Sequence, residues 1–413
     1  MDIWNFTETD SFITEIARSL SIGKSVFIYY PYSYDKLFVE RLYNKISDRD
    51  RWYNYSENNV WSDYDPIDFV YEFYFPEYSD LRTVPNLIES FNEYQIIYLD
   101  FSILSEVEIK AWSSFINEYT KLCHHKEDDQ RIVFCVLIKH YYNCELINRG
   151  TVSNLYFYNY LRKIDFRFLI CSSLQNNNDL SNLEKDLVEE LLIEIAFPNI
   201  DLFFYLMDQP RKIIYEPEDV LREYSDKLGI NEVLIKKIKT ELGFPKPSIK
   251  NIDNKHRLFQ LWISGLISIV DSAIEIPSYL CCFDREWRDE LNNKIWHAQI
   301  KIIFPVIEEK RIWILRYFQK TLKNQLNEYA RKAKIELATN ESIMEIEFFA
   351  LHKITNLISA TYIKDISKLI KLTFLMWKIR NDLAHLRTIK KEYLEEFFLQ
   401  ISIVNNFASR CNN

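Results

Sequence analysis

The first part of the chain alternates short apolar runs with amphipathic segments. Four runs have the length of strands, at residues 24–31, 93–102, 131–140 and 165–173. The segments between them, such as SEVEIKAWSSFINEYTKLC, have the spacing of helices. Because buried strands that alternate with helices form mostly parallel sheets covered by helices, the pattern predicts an α/β domain over residues 1–174.

After residue 174 the apolar positions follow a helical period. Three amphipathic segments occur here, and Gly229 and Gly243 follow two of them at the positions where helices commonly end. The stretch GFPKPSIKNIDNK, with two prolines, is the expected linker. Residues 175–250 are therefore predicted to form a small helical, lid-like region and a linker.

From residue 251 to 413 every segment has helical periodicity, which predicts a bundle of about five helices. Residues 256–275 are expected to form one helix. A second helix should reach Pro305, which is expected to kink or restart it, since proline removes a backbone donor. The next should continue through the basic stretch at 310–334. The predicted fold class is therefore α/β followed by an all-α bundle.

Composition narrows the classes of protein that fit. Hydrophobic residues make up 48% of the chain, so a sizeable core is expected, and the five glycines argue against a glycine-cradled phosphate site. The net charge of −9 gives no overall attraction to nucleic acid, so RNA contact requires a local basic patch. The seven cysteines form no CxxC pair, and the chain starts without a secretory leader. We therefore expect a cytoplasmic protein without a metal site, a cofactor or a membrane span.

An α/β domain followed by a small helical region resembles a P-loop ATPase of the STAND type with its helical lid. In the stretch YPYSYDKL, after the first strand, Tyr30 and Asp35 stand where a phosphate loop has glycine, and only Lys36 fits. Asp100 ends the IIYLD run as in a Walker B strand, but Phe101 follows where a catalytic acid is usual. Lys36 and Asp100 are the candidate nucleotide-binding residues. A degenerate ATPase-like scaffold and an unrelated α/β domain both remain open.

The stretch KIRNDLAHLR carries the residues that metal-free RNA cleavage needs. Such cleavage requires a proton acceptor and a proton donor, and positive charge beside the phosphate. His385 is of the residue type that titrates near neutral pH, and Arg380 can grip two phosphate oxygens. Asn381 can donate to phosphate or orient the histidine. These three residues are the candidate catalytic residues.

The segment RNDLAH also matches the R-x4-H motif and resembles the HEPN superfamily, whose small helical bundles include many metal-independent ribonucleases. On one helix, five residues turn roughly 140° beyond a full revolution, so Arg380 and His385 would not share a face. Either the helix bends near Asp382, or a second chain completes the site. The resemblance implies the second arrangement, a homodimer with both motifs in one cleft, acting on cellular RNA as a defence or toxin effector.

The same residues fit a second function. A polar turn that ends a helix, with His385 hydrogen-bonded inside the bundle, would make the chain a non-catalytic interaction or regulatory module of a defence system, with partner proteins and a degenerate nucleotide-binding domain.

Arg387 stands where some HEPN toxins carry a tyrosine that a partner enzyme modifies. His352 is expected to be a buried structural residue, and His297 to be packed.

A local excess of basic residues lies between 310 and 334. On one helix their spacing would give one basic face opposite an apolar face, and such a face can follow an RNA backbone. An ordinary solvated surface explains the same pattern. The candidate RNA-binding residues are Arg316, Lys320, Lys323, Arg331, Lys334 and Arg387.

Overall fold

The computed structural model describes residues 2–33, 37–46, 51–57, 65–75, 77, 81–139, 150–174, 179–243, 249, 251–323, 325–335, 341–363 and 366–411. The chain divides into two compact units, each discontinuous in sequence. The first unit comprises Met1–Leu169, Pro198–Asp201 and Val233–Pro277, and the second comprises Ile170–Phe197, Leu202–Glu232 and Ser278–Asn413. The domain boundaries expected at 174 and 250 stay a prediction.

The first unit is built on a parallel sheet of five strands in the order β2-β3-β4-β1-β5. The strands are β1 (Ser25–Tyr29), β2 (Trp52–Asn54), β3 (Gln95–Asp100), β4 (Ile132–Ile138) and β5 (Val152–Tyr156). Every residue of β1 and β4 is buried, as expected for central strands with both faces covered. The parallel α/β arrangement predicted from the sequence is confirmed.

Helices precede and separate these strands. Ser105 starts α5 with a capping box, in which its hydroxyl accepts the Glu108 amide and the Glu108 carboxylate accepts the Ser105 amide. Trp112 on α5 packs edge-on against Phe134 of β4. The helices up to β4 are α1 (Thr7–Ser21), α2 (Phe38–Lys45), α3 (Pro66–Tyr74), α4 (Val84–Ser90) and α5 (Glu106–Leu122).

One predicted strand is a helix. Residues 165–173 lie in α6 (Lys163–Leu174), and the sheet contains two strands that were not predicted, β2 and β5. The buried apolar residues of α6 are Phe166, Leu169, Ile170 and Leu174, which have helical spacing, while Phe168 is 54% exposed. An apolar run of this length does not separate the two structures by itself, and the spacing of its buried positions does.

The helix predicted at 256–275 is also wrong. A short helix, α12 (Phe259–Ile263), is followed by an antiparallel hairpin of β6 (Ser268–Val270) and β7 (Ala273–Glu275). Asp271 and Ser272 connect the strands with φ of +48° and +68°, the left-handed conformations that two-residue hairpin turns require. Gly265 also has positive φ, and an added Cβ there would lie 3.3 Å from the Pro31 carbonyl.

The second unit is helical in its described residues. Its longest helix, α14, continues through Pro305 with Ile303 and Ile307 buried on either side, so the helix does not restart there, and the kink stays a prediction. The remaining helices of the chain are α7 (Asn182–Ala196), α8 (Ile200–Met207), α9 (Pro210–Tyr215), α10 (Pro217–Lys227), α11 (Glu232–Leu242), α13 (Ser278–Cys281), α14 (Arg285–Leu322), α15 (Gln325–Lys332), α16 (Phe348–Leu357), α17 (Ile366–Ala384) and α18 (Lys391–Cys411).

Two expectations fall outside the described residues. Lys36 is one, and most of the proline-rich stretch of the predicted linker, residues 244–248 and 250, is the other. The glycines expected after helices, Gly229 and Gly243, follow α10 and α11 with φ of +68° and +70°. Over the ranges described, no helix has the length and apolar character to cross a bilayer.

Candidate functional site

The motif RNDLAH occupies the last turn of α17. The buried positions of this helix recur every three or four residues, which makes one apolar stripe, and α17 packs against α14, α16 and α18. The stripe consists of Ile366, Leu369, Leu372, Thr373, Leu375, Met376, Ile379 and Leu383. The polar motif residues therefore lie on the sides of α17 that the stripe leaves open.

A Schellman turn ends α17. The Leu386 amide donates to the Leu383 carbonyl at 3.3 Å, and the Arg387 amide donates to the Asp382 carbonyl at 2.9 Å. Leu386 has φ of +55°, a conformation that glycine usually provides at this position. A leucine held here, 63% exposed, strains the backbone directly beside His385.

Two side chains of α14 hold this turn. The Trp296 indole donates to the Leu383 carbonyl at 2.8 Å. The side chain of Gln299, which is buried, accepts the Ile389 amide at 2.8 Å. The backbone on both sides of His385 is thus fixed by the bundle, so the position of the histidine is set by packed residues rather than by a free loop.

The three predicted catalytic residues differ in their surroundings. His385 is exposed, whereas Arg380 and Asn381 are half-buried. The His385 amide donates to the Asn381 carbonyl at 3.2 Å, so the helical path continues to His385 and does not bend near Asp382. Asn381 and His385 share a side of α17, and Arg380 points roughly 140° away from His385 around the helix axis. Helix geometry therefore starts the Arg380 and His385 side chains of one chain on different sides of α17.

Asp382 is a further residue of this site, and no role was predicted for it from the sequence. Burial raises the pKa of its carboxyl group, although four basic groups around it, Lys390, Arg387, Lys378 and His385, act in the opposite direction. Its Oδ2 is buried and has no hydrogen-bond partner among the described residues. The Asp382 carboxylate is an acidic group beside His385. In the sequence, its position between Asn381 and His385 is the feature that could have pointed to it.

Two other histidines of the helical unit, His352 and His297, differ in their burial. His352, expected to be buried, is half-buried: the Asn356 amide donates to its Nε2 at 2.9 Å, and its Nδ1 lies 3.2 Å from the Thr373 hydroxyl. Burial lowers the pKa of His352. His297, expected to be packed, is exposed, and its ring lies 5.0 Å from that of Trp296.

The predicted basic stripe is divided between two helices. α14 ends at Leu322 and Lys323 turns the chain with φ of +46°, so Arg316 and Lys320 lie on one helix and Arg331 on another. Lys334 follows α15, also with positive φ. The expectation of one continuous helical face is therefore wrong. All five of these residues and Arg387 are exposed, and their contact with RNA stays a prediction.

Asp100 lies where the sequence placed it, at the carboxyl end of β3, but its carboxylate has internal partners. Oδ2 is 3.4 Å from Lys139 Nζ, and both side chains are buried. Oδ1 accepts the Ser102 amide at 2.9 Å and the Ser102 hydroxyl at 2.6 Å. A lysine that follows β4 thus neutralises the charge that a Walker B aspartate would present to a metal–nucleotide complex.

The loop after β1 is also filled by protein groups as far as it is described. The Ser33 amide donates to Asp201 Oδ2 at 2.6 Å. In a phosphate-binding loop such an amide would donate to a phosphate, but here a carboxylate of the protein accepts it. Tyr30 and Tyr32 are buried, and both pack edge-on against Phe157. Burial, with the nearby Asp201 charge, strongly raises the pKa of Tyr32. In the described residues this edge is packed like a core.

Within the same ranges, no three side chains among histidine, cysteine, aspartate and glutamate converge to hold a metal ion.

No model of a known protein family matches the sequence, and a search of curated proteins returns no match. Among solved structures, the chain is similar to a signal transduction ATPase with numerous domains (STAND) that has a tetratricopeptide repeat sensor, from Pyrococcus horikoshii. The identity is 12% and the TM-score 0.23, over 94% of this chain and 64% of that one. The chain thus spans less than two thirds of that protein, and a TM-score this low carries no argument about its function.

Proposed function

We propose that the chain is a metal-independent endoribonuclease of the HEPN type, whose site is completed by a second copy. The observation that carries the proposal is the exposure of His385 at the end of α17, on a turn that Trp296 and Gln299 hold in place. A structural histidine of a polar turn would be hydrogen-bonded inside the bundle. An exposed imidazole on a fixed backbone is what a general acid or base requires.

The need for a second copy follows from the direction of Arg380. Because α17 stays helical through Ala384, the arginine and the histidine of one chain lie on different sides of the helix. A two-fold axis beside the two helix ends would bring Arg380 of one copy toward His385 of the other. Symmetric dimers are the commonest oligomers, and their interfaces pair each surface with itself.

The chemistry assigns one role to each group. One imidazole accepts the proton of a ribose 2′-hydroxyl, whose oxygen attacks the adjacent phosphorus. Once protonated, the same imidazole donates this proton to the departing 5′-oxygen. Arg380 stabilises the charge that builds on the phosphoryl oxygens, and Asn381 orients the histidine or donates to phosphate. The products are a 2′,3′-cyclic phosphate and a 5′-hydroxyl, so protons and bonds balance without a metal or cofactor.

We place the first unit in a regulatory role within this activity. The ion pair of Asp100 with Lys139 and the bond from Ser33 to Asp201 support a degenerate, ATPase-like scaffold that docks or restrains rather than hydrolyses nucleotide. A chain of this kind fits a defence or toxin effector that acts on cellular RNA in the cytoplasm, with partner proteins that release its activity.

The test is cleavage of RNA by the purified chain in the presence of EDTA. The wild type should produce fragments that end in 2′,3′-cyclic phosphate. His385→Ala should lower the cleavage rate at least about 100-fold, and Arg380→Ala comparably, since general acid–base groups and charge stabilisation contribute on this scale. His125→Ala removes an exposed histidine of the first unit and should leave the rate unchanged. Equal cleavage by wild type and folded His385→Ala, or no cleavage by wild type, would contradict the proposal.

A further inference from the structure

A row of aromatic and basic side chains lies along α16 and α17. The ring of Phe349 is 4.8 Å from that of Trp377, and the ring of Phe374 is 5.9 Å from that of Trp377. Lys378 Nζ lies 4.3 Å from the Trp377 ring, and Lys353 Nζ lies 4.3 Å from the Phe349 ring. These five residues are called the stacking face. Phe349 is 44% exposed, and the other two rings are half-buried.

The charge of the stacking face differs from that of the chain. The two helices carry five lysines and arginines and a single acid, Asp382, although the net charge of the protein is −9. Lys371 is paired with Glu396 of α18, but Lys353 and Lys378 make no ion pair among the described residues and lie over aromatic rings instead. Two cations are therefore left available to a polyanion, directly beside flat rings.

The ring of Trp377 has a nearly parallel neighbour on α16. His352 lies 6.1 Å from it with the ring planes only 13° apart. Both ring nitrogens of His352 are engaged by Asn356 and Thr373. The imidazole, held by both nitrogens and nearly parallel to the indole, helps to fix the orientation of Trp377, which lowers the entropy that a ligand must overcome to stack on it.

The face leads to the candidate site. Phe374, Lys378, Asn381 and His385 are separated by four, three and four positions, so they follow one side of α17. The distance along the axis from Trp377 to His385 is roughly 12 Å, which a stacked strand spans in three to four nucleotides at about 3.4 Å each. A strand whose bases stack on the rings would thus bring a phosphate near His385.

We propose that the stacking face binds single-stranded RNA, with unpaired bases stacked on Trp377 and Phe349 and phosphates beside Lys353 and Lys378. Rings interleaved with cations are how proteins hold single strands without sequence preference, whereas paired bases offer no free faces to stack. The inference names the substrate class of the proposed ribonuclease and rests on that function for its biological role. Binding itself is measured without cleavage.

The experiment uses the full chain with His385→Ala, so that RNA stays intact. Fluorescence anisotropy measures the Kd for a labelled twelve-nucleotide oligouridine and for an RNA duplex. Adding Trp377→Ala should weaken binding of the single strand about tenfold, and adding Phe349→Ala several-fold. Trp377→Phe should restore most of the affinity. Lys378→Ala should weaken binding modestly and reduce its salt dependence by about one phosphate contact.

Two control variants make the result specific. Tyr362→Ala removes a ring that is 49% exposed and lies outside the face, and it should leave the Kd unchanged. Trp313→Ala disturbs the rival aromatic and basic surface of α14, where Trp313 stacks on Tyr317 beside Arg316. Because Phe349 is 44% exposed and more accessible than Trp377, Phe349→Ala gives the same readout if Trp377→Ala fails to fold.

The outcomes separate this inference from the ribonuclease itself. Unchanged affinity in folded Trp377→Ala and Phe349→Ala overturns the stacking face, as does equal binding of single strand and duplex, or a loss only with Trp313→Ala. A change in oligomeric state without a change in Kd would instead make the face a contact between copies. Cleavage by the wild type then still supports the enzyme. Ring-dependent binding without any cleavage would support the face and remove the enzyme.

Discussion

Charged side chains at the carboxyl edge of the sheet are paired with other protein groups, whereas those at the C-terminal end of α17 are exposed or lie over aromatic rings. At the sheet edge, Asp100 is neutralised by buried Lys139, and Asp201 takes the amide of Ser33. At the end of α17, His385 and Arg387 are exposed, and Lys378 lies over an aromatic ring. Charges paired inside the protein contribute to stability, whereas charges left beside open rings are available to a ligand. The difference predicts which substitutions change stability and which change RNA binding.

The largest stability effect is expected at the sheet edge. Lys139→Ala leaves the Asp100 carboxylate buried without its cation, which typically costs about 3–5 kcal/mol. The unfolding midpoint should fall on the order of 10 °C, as measured by thermal circular dichroism. Lys378→Ala, the matched lysine of the stacking face, should change unfolding by less than about 0.5 kcal/mol. Equal losses in the two variants would remove the distinction between the regions.

A smaller effect of opposite sign is expected at the turn after α17. Leu386→Gly relieves a left-handed leucine that is largely exposed, so the free energy of unfolding should rise by roughly 0.5–1 kcal/mol. Leu386→Ala keeps a Cβ in the same backbone conformation and should give no gain. Urea denaturation measures both variants. A loss of stability with glycine would show that the leucine side chain matters more than its strain.

The smallest effect is a pH dependence at Asp382. Because burial raises the pKa of its carboxyl group, the folded chain holds this proton more tightly than the unfolded chain. The stability from this group is therefore full at low pH and is lost as the pH rises through the folded-state pKa. Asp382→Asn should gain stability relative to wild type as the pH rises above roughly 4, the ordinary pKa of an aspartate. A difference that is constant or shrinks as the pH rises would contradict this assignment.

The sequence predicts those parts of the fold in which burial and periodicity agree. The central strands β1, β3 and β4 are continuous apolar runs and were recognised, whereas the edge strands β2 and β5 are mostly half-buried and were missed. The hairpin after α12 was missed because its turn residues, Asp271 and Ser272, interrupt a run whose apolar positions also fit a helix. Tertiary packing decides such segments, and local pattern does not contain it.

The candidate site, too, could be predicted from the sequence only in part. The motif and its place at a helix end follow from the sequence, and the spacing of Phe374, Lys378, Asn381 and His385 was available there too. The partners of Phe349 and Lys353 on the neighbouring helix were not available, because they depend on how α16 packs on α17. The break at Lys323, which divides the basic stripe, rests on one left-handed residue that no local signal marks.

The central claim is that Arg380 of one copy works with His385 of another, and mixing two inactive variants tests it directly. Equal amounts of His385→Ala and Arg380→Ala chains are unfolded together, refolded, and assayed for RNA cleavage. Half of the dimers then contain one chain of each variant. Each mixed dimer has one intact pair of Arg380 and His385 where a wild-type dimer has two, so activity should recover to about a quarter of wild type. Activity in the mixture no higher than in either variant alone would contradict a site shared between copies.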